Sequence, residues 1–521
     1  MMYRLSYYVI GLSLCALICT GAVKGNETIS DTAVVARVGD YRITVENLLE
    51  SYEITPSFVK LSANPLETHL RYLIYEYLMA SEAERRGYDT LAITDRMIRA
   101  IEEDLTVDQL YRDDILSQIT LTEENINAGV QKGRIRIRLR WIFTESIVEA
   151  QNIYRKYTEG ASFDSLFLRH LPPDTPPESR MYENTQLILE RDNPGLMSQI
   201  VHLKSGEVSE PVEGADGYYI FRIDEIRQNP ILPLDEYTKL KDQAVTVLTK
   251  IRADEISRKY IQELFDEENP EIIPAGMYVI RAYLAAQGLT EGQIAEYEIP
   301  LEIMTEGGPK PVIHNPEFLS LPVARNRHVT MTVQDYLDWF EIRQLQIKRH
   351  SREAFNTSIL QTVRKMMQDR MLSDRAYERG LDGREAVRSE LQRWKAKILY
   401  SVFRRTVQQS IDITNEHLRS YYNAHATRYV DREGNPLSFD DARDYVYGDL
   451  YLIEENRVLY RLIRDLEAKY DVYVNESLLD DLAQRIEESE IPVNVIFYKP
   501  GGTFPRVAFP TIDQLWRNFA R

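Results

Sequence analysis

Residues Leu203-Lys204-Ser205-Gly206-Glu207-Val208-Ser209-Glu210-Pro211-Val212 lead, after a short gap, into Gly217-Tyr218-Tyr219-Ile220-Phe221-Arg222-Ile223. The second run is aromatic and β-branched, and it reads as a strand. Upstream, Arg134-Ile135-Arg136-Ile137-Arg138-Leu139-Arg140-Trp141-Ile142-Phe143 alternates strictly between charged and apolar residues. Such alternation predicts a strand with one wet, basic face rather than an anion site. A helix follows, with Ala150, Ile153, Tyr154 and Tyr157 in register and Gly160 as its stop. Residues 134–228 therefore read as one α/β module.

Outward from this module the chain is helical, and it repeats itself. Val34 to Thr44 predicts a small hairpin turning at Gly39-Asp40, with Thr44 as a helix N-cap. Leu66, Leu70, Leu73, Ile74, Tyr77 and Leu78 keep helical spacing, and Gly87 is placed to end that helix in a left-handed cap. Met331-Thr332-Val333 echoes Ile43-Thr44-Val45, Arg379-Gly380-Leu381-Asp382 echoes Arg86-Gly87-Tyr88-Asp89, and Ile413-Thr414-Asn415-Glu416 echoes Leu121-Thr122-Glu123-Glu124. The offset stays between 288 and 293. It then falls to 205, where Leu234-Asp235-Glu236-Tyr237 meets Phe439-Asp440-Asp441-Ala442. The segment missing from the second half is replaced by a turn, Asp431 to Pro436, with Ser438 and Asp441 as a capping box. An element present in one half and absent from the other is an inserted domain.

The 134–228 module resembles a parvulin-type (PpiC-like) peptidyl-prolyl isomerase, through the Leu203–Val212 run and the Gly217 strand. The flanking helices resemble the arms of SurA-type periplasmic chaperones. The resemblance implies isomerisation of X–Pro bonds, whose barrier of about 20 kcal/mol comes from amide resonance and needs no cofactor to lower it. It also implies a pair of core histidines. Trp141 and Tyr219 stand at those positions, and neither shares imidazole's proton behaviour near neutral pH. The family's glycine-rich turn has no counterpart between Arg180 and Leu189. Its proline-pocket residues map onto Asn193, Leu196 and Val201, with Pro194 kept and His202 the nearest imidazole. No catalytic residue is assigned. The expectation is a degenerate isomerase domain, with a remodelled active site as the alternative.

The first residues suggest export. Arg4 precedes an apolar run from Tyr7 to Val23, shorter than the roughly 20 residues of a bilayer span, with Ala22 or Gly25 before the cut. A short anchor, or a lipid on Cys15 or Cys19, are the alternatives to a cleaved signal. Net charge is −18, which disfavours nucleic acid as a partner. His69, His170, His314, His328, His350, His417 and His425 lack zinc-type spacing, and no metal is expected.

The expected fold class is α+β: duplicated helical chaperone arms, one inserted parvulin-like α/β domain and a β-rich connector. The expected parts are a signal at 1–25, a first helical half at 33–130 with 231–272, and the isomerase-like domain at 134–228. A β-rich connector at 273–327, a second helical half at 328–475 and a tail of unassigned role at 476–521 follow. Ile359, Val363, Met366, Met367 and Met371 form an apolar stripe, whose three methionines are candidates for an adaptable peptide groove. The function expected is that of a periplasmic chaperone for unfolded, extended clients, outer-membrane proteins among them. An active isomerase and an accessory subunit of the outer-membrane assembly machinery are the alternatives.

Overall fold

The computed structural model describes residues 29–173, 175–214, 216–228, 233–299, 316–487 and 510–519. The N-terminal apolar run, the glycine–proline turn at 307–311 and most of the segment after 492 lie outside them. The chain divides into two units, 112–263 and the remainder on either side of it.

The first unit opens with the expected hairpin, β1 (Val34–Val38) and β2 (Tyr41–Thr44), turning through Gly39. Thr44 caps α1 (Val45–Glu53), its hydroxyl accepting from the Asn47 amide at 3.2 Å. A short α2 (Ser57–Lys60) leads to α3 (Pro65–Arg85), whose apolar positions from Leu66 to Leu78 are buried. Gly87, at φ +77°, turns the chain into α4 (Ala92–Asp114), a conformation that costs an L-residue a steric clash.

The second unit holds α5 (Glu123–Gly133), β3 (Ile135–Thr144), α6 (Ile147–Thr158), α7 (Phe163–Arg169), β4 (Met181–Thr185), α8 (Gln186–Asp192), α9 (Pro194–Ile200), β5 (Val212–Gly214), β6 (Gly217–Gln228) and α10 (Leu234–Glu268). Its antiparallel sheet runs β4-β3-β6-β5. Alternation sends Ile142 and Ile220 to one face, against Ala150, Ile153 and Phe163 of α6 and α7. Ile137, Leu139, Phe221 and Ile223 go to the other, against Met197 and Ile200 of α9. Leu187 and Ile188 of α8 pack with Val130 of α5 and with Ala244 and Val247 of α10.

The first unit resumes with β7 (Glu271–Ile272), α11 (Pro274–Ala286), α12 (Glu291–Glu296), α13 (Pro316–Leu319), β8 (Pro322–Arg325) and β9 (Thr330–Thr332). The described part of 273–327 is thus mostly helical, and residues 300–315 of the expected β-rich connector lie outside the described residues. Pro274 at the first helical position and an Ala-rich turn beyond it explain the helix. Then come α14 (Val333–Arg343), α15 (Arg352–Glu378), α16 (Glu385–Gln409), α17 (Asn415–His425), α18 (Phe439–Lys469), β10 (Val472–Val474) and α19 (Glu476–Glu487).

The order hairpin, helix, long helix, left-handed glycine, long helix and capped helix occurs twice. Thr332 caps α14 as Thr44 caps α1, and Gly380 sits at φ +66° as Gly87 does at +77°. Thr122 and Thr414 make matching capping boxes on α5 and α17. Each half also ends in a strand, and the strands are exchanged. β10 pairs with β1 (Val474 opposite Ala36), while β7 pairs with β8 (Ile272 opposite Ala324). The helix starts Leu234 and Phe439 keep the offset of 205, and the strand registers bring it to 202 at Ile272 and Val474. Ser438 does cap α18, but the Asp441 carboxylate accepts from the Ser438 hydroxyl instead of a backbone amide.

The tail belongs to this core. α19 packs on α3 and β1, and Trp516 is fully buried beside Tyr72, Tyr75 and Tyr400. One oxygen of the buried Glu76 carboxylate accepts from the Asp513 amide at 2.8 Å and the Trp516 indole at 3.1 Å. Lys397 of α16 pairs with the same carboxylate at 2.7 Å. Trp516→Ala should cost about 4 kcal/mol, a value for emptying a large aromatic site, read as a lower urea midpoint.

His69 is fully buried between the Ser51 hydroxyl (2.7 Å from Nε2) and the Thr55 hydroxyl (3.0 Å from Nδ1). Burial, with Lys60 nearby, pushes its pKa down to about 3. The unfolded chain therefore binds a proton that the folded chain refuses, and stability falls as pH drops from about 6.5 toward 3. His69→Gln should flatten the decline between pH 6.5 and 4.5 by about 3 kcal/mol in urea titrations.

Candidate functional site

The candidate site is the α9 face of the four-stranded sheet. Trp141 and Phe143 on β3 point to this face, as do Tyr219 and Phe221 on β6, because each pair is two residues apart. The register places Phe143 opposite Tyr219 and Trp141 opposite Phe221. Trp141 and Tyr219 are therefore diagonal neighbours in an aromatic tetrad. The Phe143 and Tyr219 ring centres are 5.1 Å apart, and Tyr219 stacks on Phe221 at 5.7 Å. Trp141, Tyr182, Leu196, Leu203 and Tyr219 are half-buried around the Met197, Ile200 and Phe221 core.

The polar groups at the tetrad are few. The Tyr219 hydroxyl donates to Asp216 Oδ1 at 2.7 Å. Burial and that carboxylate hold the phenol well above the ordinary tyrosine range, so it stays protonated. The Arg180 guanidinium lies 5.7 Å from the Phe143 ring centre, and its Nη1 is buried without a hydrogen-bond partner. Burial lowers its pKa. Tyr182 donates to Asp192 at 3.2 Å. His202 is exposed in the turn after α9, and His170 lies on the α7 side, its Nδ1 2.7 Å from the Leu166 carbonyl oxygen. The face thus offers apolar walls, a phenol that stays protonated and one desolvated cation.

The sequence-predicted residues divide. Trp141, Tyr219 and Leu196 meet on the face. Asn193 is exposed at the α8–α9 junction, and Val201 is 45% exposed at the end of α9. Met366, Met367 and Met371 lie in α15, at 3%, 2% and 2% exposure. Met366 and Met367 belong to the core of the second half, and Met366 also lines a groove beside α14 and α15. Phe143, Phe221, Tyr182 and Arg180 went unnoticed in the sequence. The two-residue alternation of aromatics along β3 and β6 would have found the phenylalanines; nothing local marks Arg180.

The arginines of β3 are also accounted for. Arg140, 18% exposed, meets Asp224 at 2.7 Å and Asp164 at 2.9 Å, and lies over the Phe163 and Phe167 rings. Arg138 pairs with Glu225 at 2.9 Å and Arg136 with Glu183 at 3.3 Å. The expected basic face is neutralised in place by carboxylates on β4, β6 and α7.

Residues 122–239 match the PPIC-type PPIASE domain family. The chain therefore carries a PpiC/parvulin-type PPIase domain. A parvulin-like PPIase of Rickettsia conorii is 24% identical over 232 residues, which cover 43% of this chain and 79% of that protein. A parvulin-like PPIase of Rickettsia felis is 24% identical over 42% of this chain and 76% of its own length. Among solved structures, PrsA of Bacillus anthracis is similar at 19% identity and a TM-score of 0.22, over 32% of this chain and 68% of that one. A chain from Campylobacter jejuni, of the pair PEB4 and Cj1289 described as SurA-like chaperones, is similar at 16% identity and a TM-score of 0.19, over 45% and 98%.

Arg140→Met tests the structural reading of the β3 arginines. It leaves Asp224, 12% exposed, without its main partner, at a cost of about 3 kcal/mol. A lowered thermal midpoint of the full chain is the expected result. Unchanged stability would return Arg140 to the pool of ligand-binding candidates.

Proposed function

We propose that the protein is a folding chaperone of the cell envelope that holds extended segments of unfolded exported polypeptides, outer-membrane proteins among them. In this reading its PPIC-type domain binds proline-containing chain more than it isomerises it. The observation that carries this is the composition of the α9 face. Four aromatic side chains and Leu196 form an apolar wall, and tryptophan and tyrosine stand where the resemblance expects imidazoles. Binding a proline ring needs the wall; sharing a proton at neutral pH needs a group with a pKa near 7. The wall is present, and the Tyr219 phenol is held far above neutrality. The N-terminal apolar run supports a place outside the cytoplasm, in the periplasm.

One observation favours an active isomerase as the second reading. Nη1 of Arg180 is buried, unpartnered and near Phe143. A cation at that place could hydrogen-bond a twisted amide, which loses its resonance and changes charge distribution.

A protease-coupled proline isomerisation assay on the full chain separates the two readings. Rates a hundredfold or more below those of an ordinary parvulin, unchanged in Arg180→Met, are expected of the holding chaperone. Parvulin-level rates that collapse in Arg180→Met would establish the isomerase instead. In parallel, the full chain should suppress aggregation of a urea-diluted outer-membrane protein at stoichiometric ratio. Absence of suppression would remove the chaperone reading.

A further inference from the structure

The exchange of strands creates two related grooves in the first unit, and among the described residues only one of them is filled. In the first groove α16 faces β2, α1 and α3, with Ile43, Asn47 and Glu76 on one wall and Arg393 and Lys397 on the other. In the second, α4 faces β9, α14 and α15. Met331, Asp335 and Asp369, the counterparts of Ile43, Asn47 and Glu76 in the repeat, line it, opposite Ala100 and Asp104, the counterparts of Arg393 and Lys397. The two grooves are thus built from the same repeat positions.

The first groove is closed by the chain's own segment 510–519. Pro510 reaches its wall, and only about 20 Å³ remains, room for roughly one water molecule. The segment is recognised as a ligand would be. Glu76 accepts from one of its backbone amides and from its indole, while Tyr400 (3.2 Å) and Arg404 (2.9 Å) donate to its Asp513 carboxylate. Among the described residues the second groove has no such filling, and it measures about 380 Å³.

The walls of the open groove state what would fit. Asp104 is held by Arg343 at 2.5 and 2.6 Å, and Asp369 by Lys365 at 2.8 Å and the Trp339 indole at 3.2 Å. These acids are already matched. Glu103 is not: among the described residues it makes no hydrogen bond or ion pair, yet it lines the groove. Burial raises its pKa by more than the nearby Arg370 and Arg343 lower it. Its counterpart in the filled groove is Ala396, so this acid is particular to the open one. Val107, Met331, Trp339 and Met366 supply apolar wall beside it.

We propose that the groove between α4 and α14–α15 seats an extended segment of another polypeptide, with a lysine or arginine of that segment at Glu103 and a neighbouring apolar or aromatic side chain against Trp339 and Met366. This rests on the chaperone reading and gives it a location in the first unit, built from other residues than the aromatic face of the PPIase domain. The chain's own tail in the first groove is the precedent for backbone and side-chain recognition at these positions; the charge of Glu103 sets the difference in ligand.

Fluorescence anisotropy on the full chain provides the test, with a short fluorescein-labelled peptide carrying a Lys-Tyr-Phe centre and a matched Glu-Tyr-Phe peptide. The lysine peptide should bind roughly tenfold more tightly. Glu103→Lys should reverse that preference, and Ala100→Trp, which fills the groove, should abolish binding of both while the thermal midpoint and circular dichroism stay as in the parent. Reversal in Glu103→Lys stands even if Ala100→Trp proves unstable. Equal binding of both peptides to the parent and to Glu103→Lys would overturn the groove while leaving the chaperone reading intact. Loss of aggregation suppression in the parent itself would remove the chaperone reading first.

Discussion

The exchanged strands are the constraint on which the first unit depends. β10 belongs by sequence to the second half, yet its hydrogen bonds go to β1 of the first; β7 closes the first half and pairs with β8 of the second. A two-stranded hairpin is marginal by itself, and a third strand with a buried face makes it stable. Neither half can complete its own sheet without the other. The chain must bring residues 34–38 and 472–474 together, at a large entropic cost of loop closure that grows only slowly with length. That cost is offset by burying α3 against α16, α18 and α19 in one continuous core. The Glu76–Lys397 pair and the His69–Ser51–Thr55 group lie within or beside this core. Each is a polar group whose partners are supplied by packing, so each reports on whether the halves have closed.

Local signals made much of this legible. The hairpin at Gly39-Asp40, the caps at Thr44, Thr122, Thr332 and Thr414, and the left-handed glycines 87 and 380 are written in short stretches of sequence. Each depends on a residue type whose conformational preference is strong. The inserted α/β module was legible for the same reason, through alternation along β3 and the Gly217 strand. What was not legible is non-local. The strand exchange follows from no property of Val472 to Val474 alone. The helix after Pro274 was missed because the connector's character was taken from 297–325 and its glycine–proline turn. The methionine stripe kept a helical period, but period cannot tell a core stripe from a binding stripe. Met366, Met367 and Met371 are all buried, and Met366 also borders a groove.

At the candidate site the residue types were legible and their arrangement was not. Trp141 and Tyr219 could be placed on two strands, but their register could not. The structure puts Phe143 and Phe221 between them, which turns two substituted positions into a continuous aromatic wall. Arg180 comes from the 3-10 turn before β4, a segment with no pattern to read. Its Nη1 is buried there without a hydrogen-bond partner. A buried donor without an acceptor costs free energy in the free protein, and a carbonyl of a bound chain would recover it.

Duplication also explains why the two halves could diverge. Once each half completes the other's sheet, the connection between α5 and α10, or between α17 and α18, carries no structural duty in the exchange. In the first half that connection holds a whole domain, and α8 of the domain covers α5 and α10 through Leu187 and Ile188. In the second half the short connection covers itself. Tyr429 stacks on Tyr422, its hydroxyl donates to Asp449, and the Tyr422 hydroxyl donates to the Leu437 carbonyl. The grooves diverged in the same way. A tail that can reach one groove and fill it removes that groove from competition, and leaves its counterpart free to change charge at a position such as Glu103. A periplasmic holder would have no nucleotide to drive release, so useful binding must be weak and reversible, with clients leaving because folding is more favourable. A groove whose acids are mostly satisfied within the protein suits that need. In the proposed reading it would offer Glu103 and an apolar wall to an extended chain, with binding weak enough to reverse.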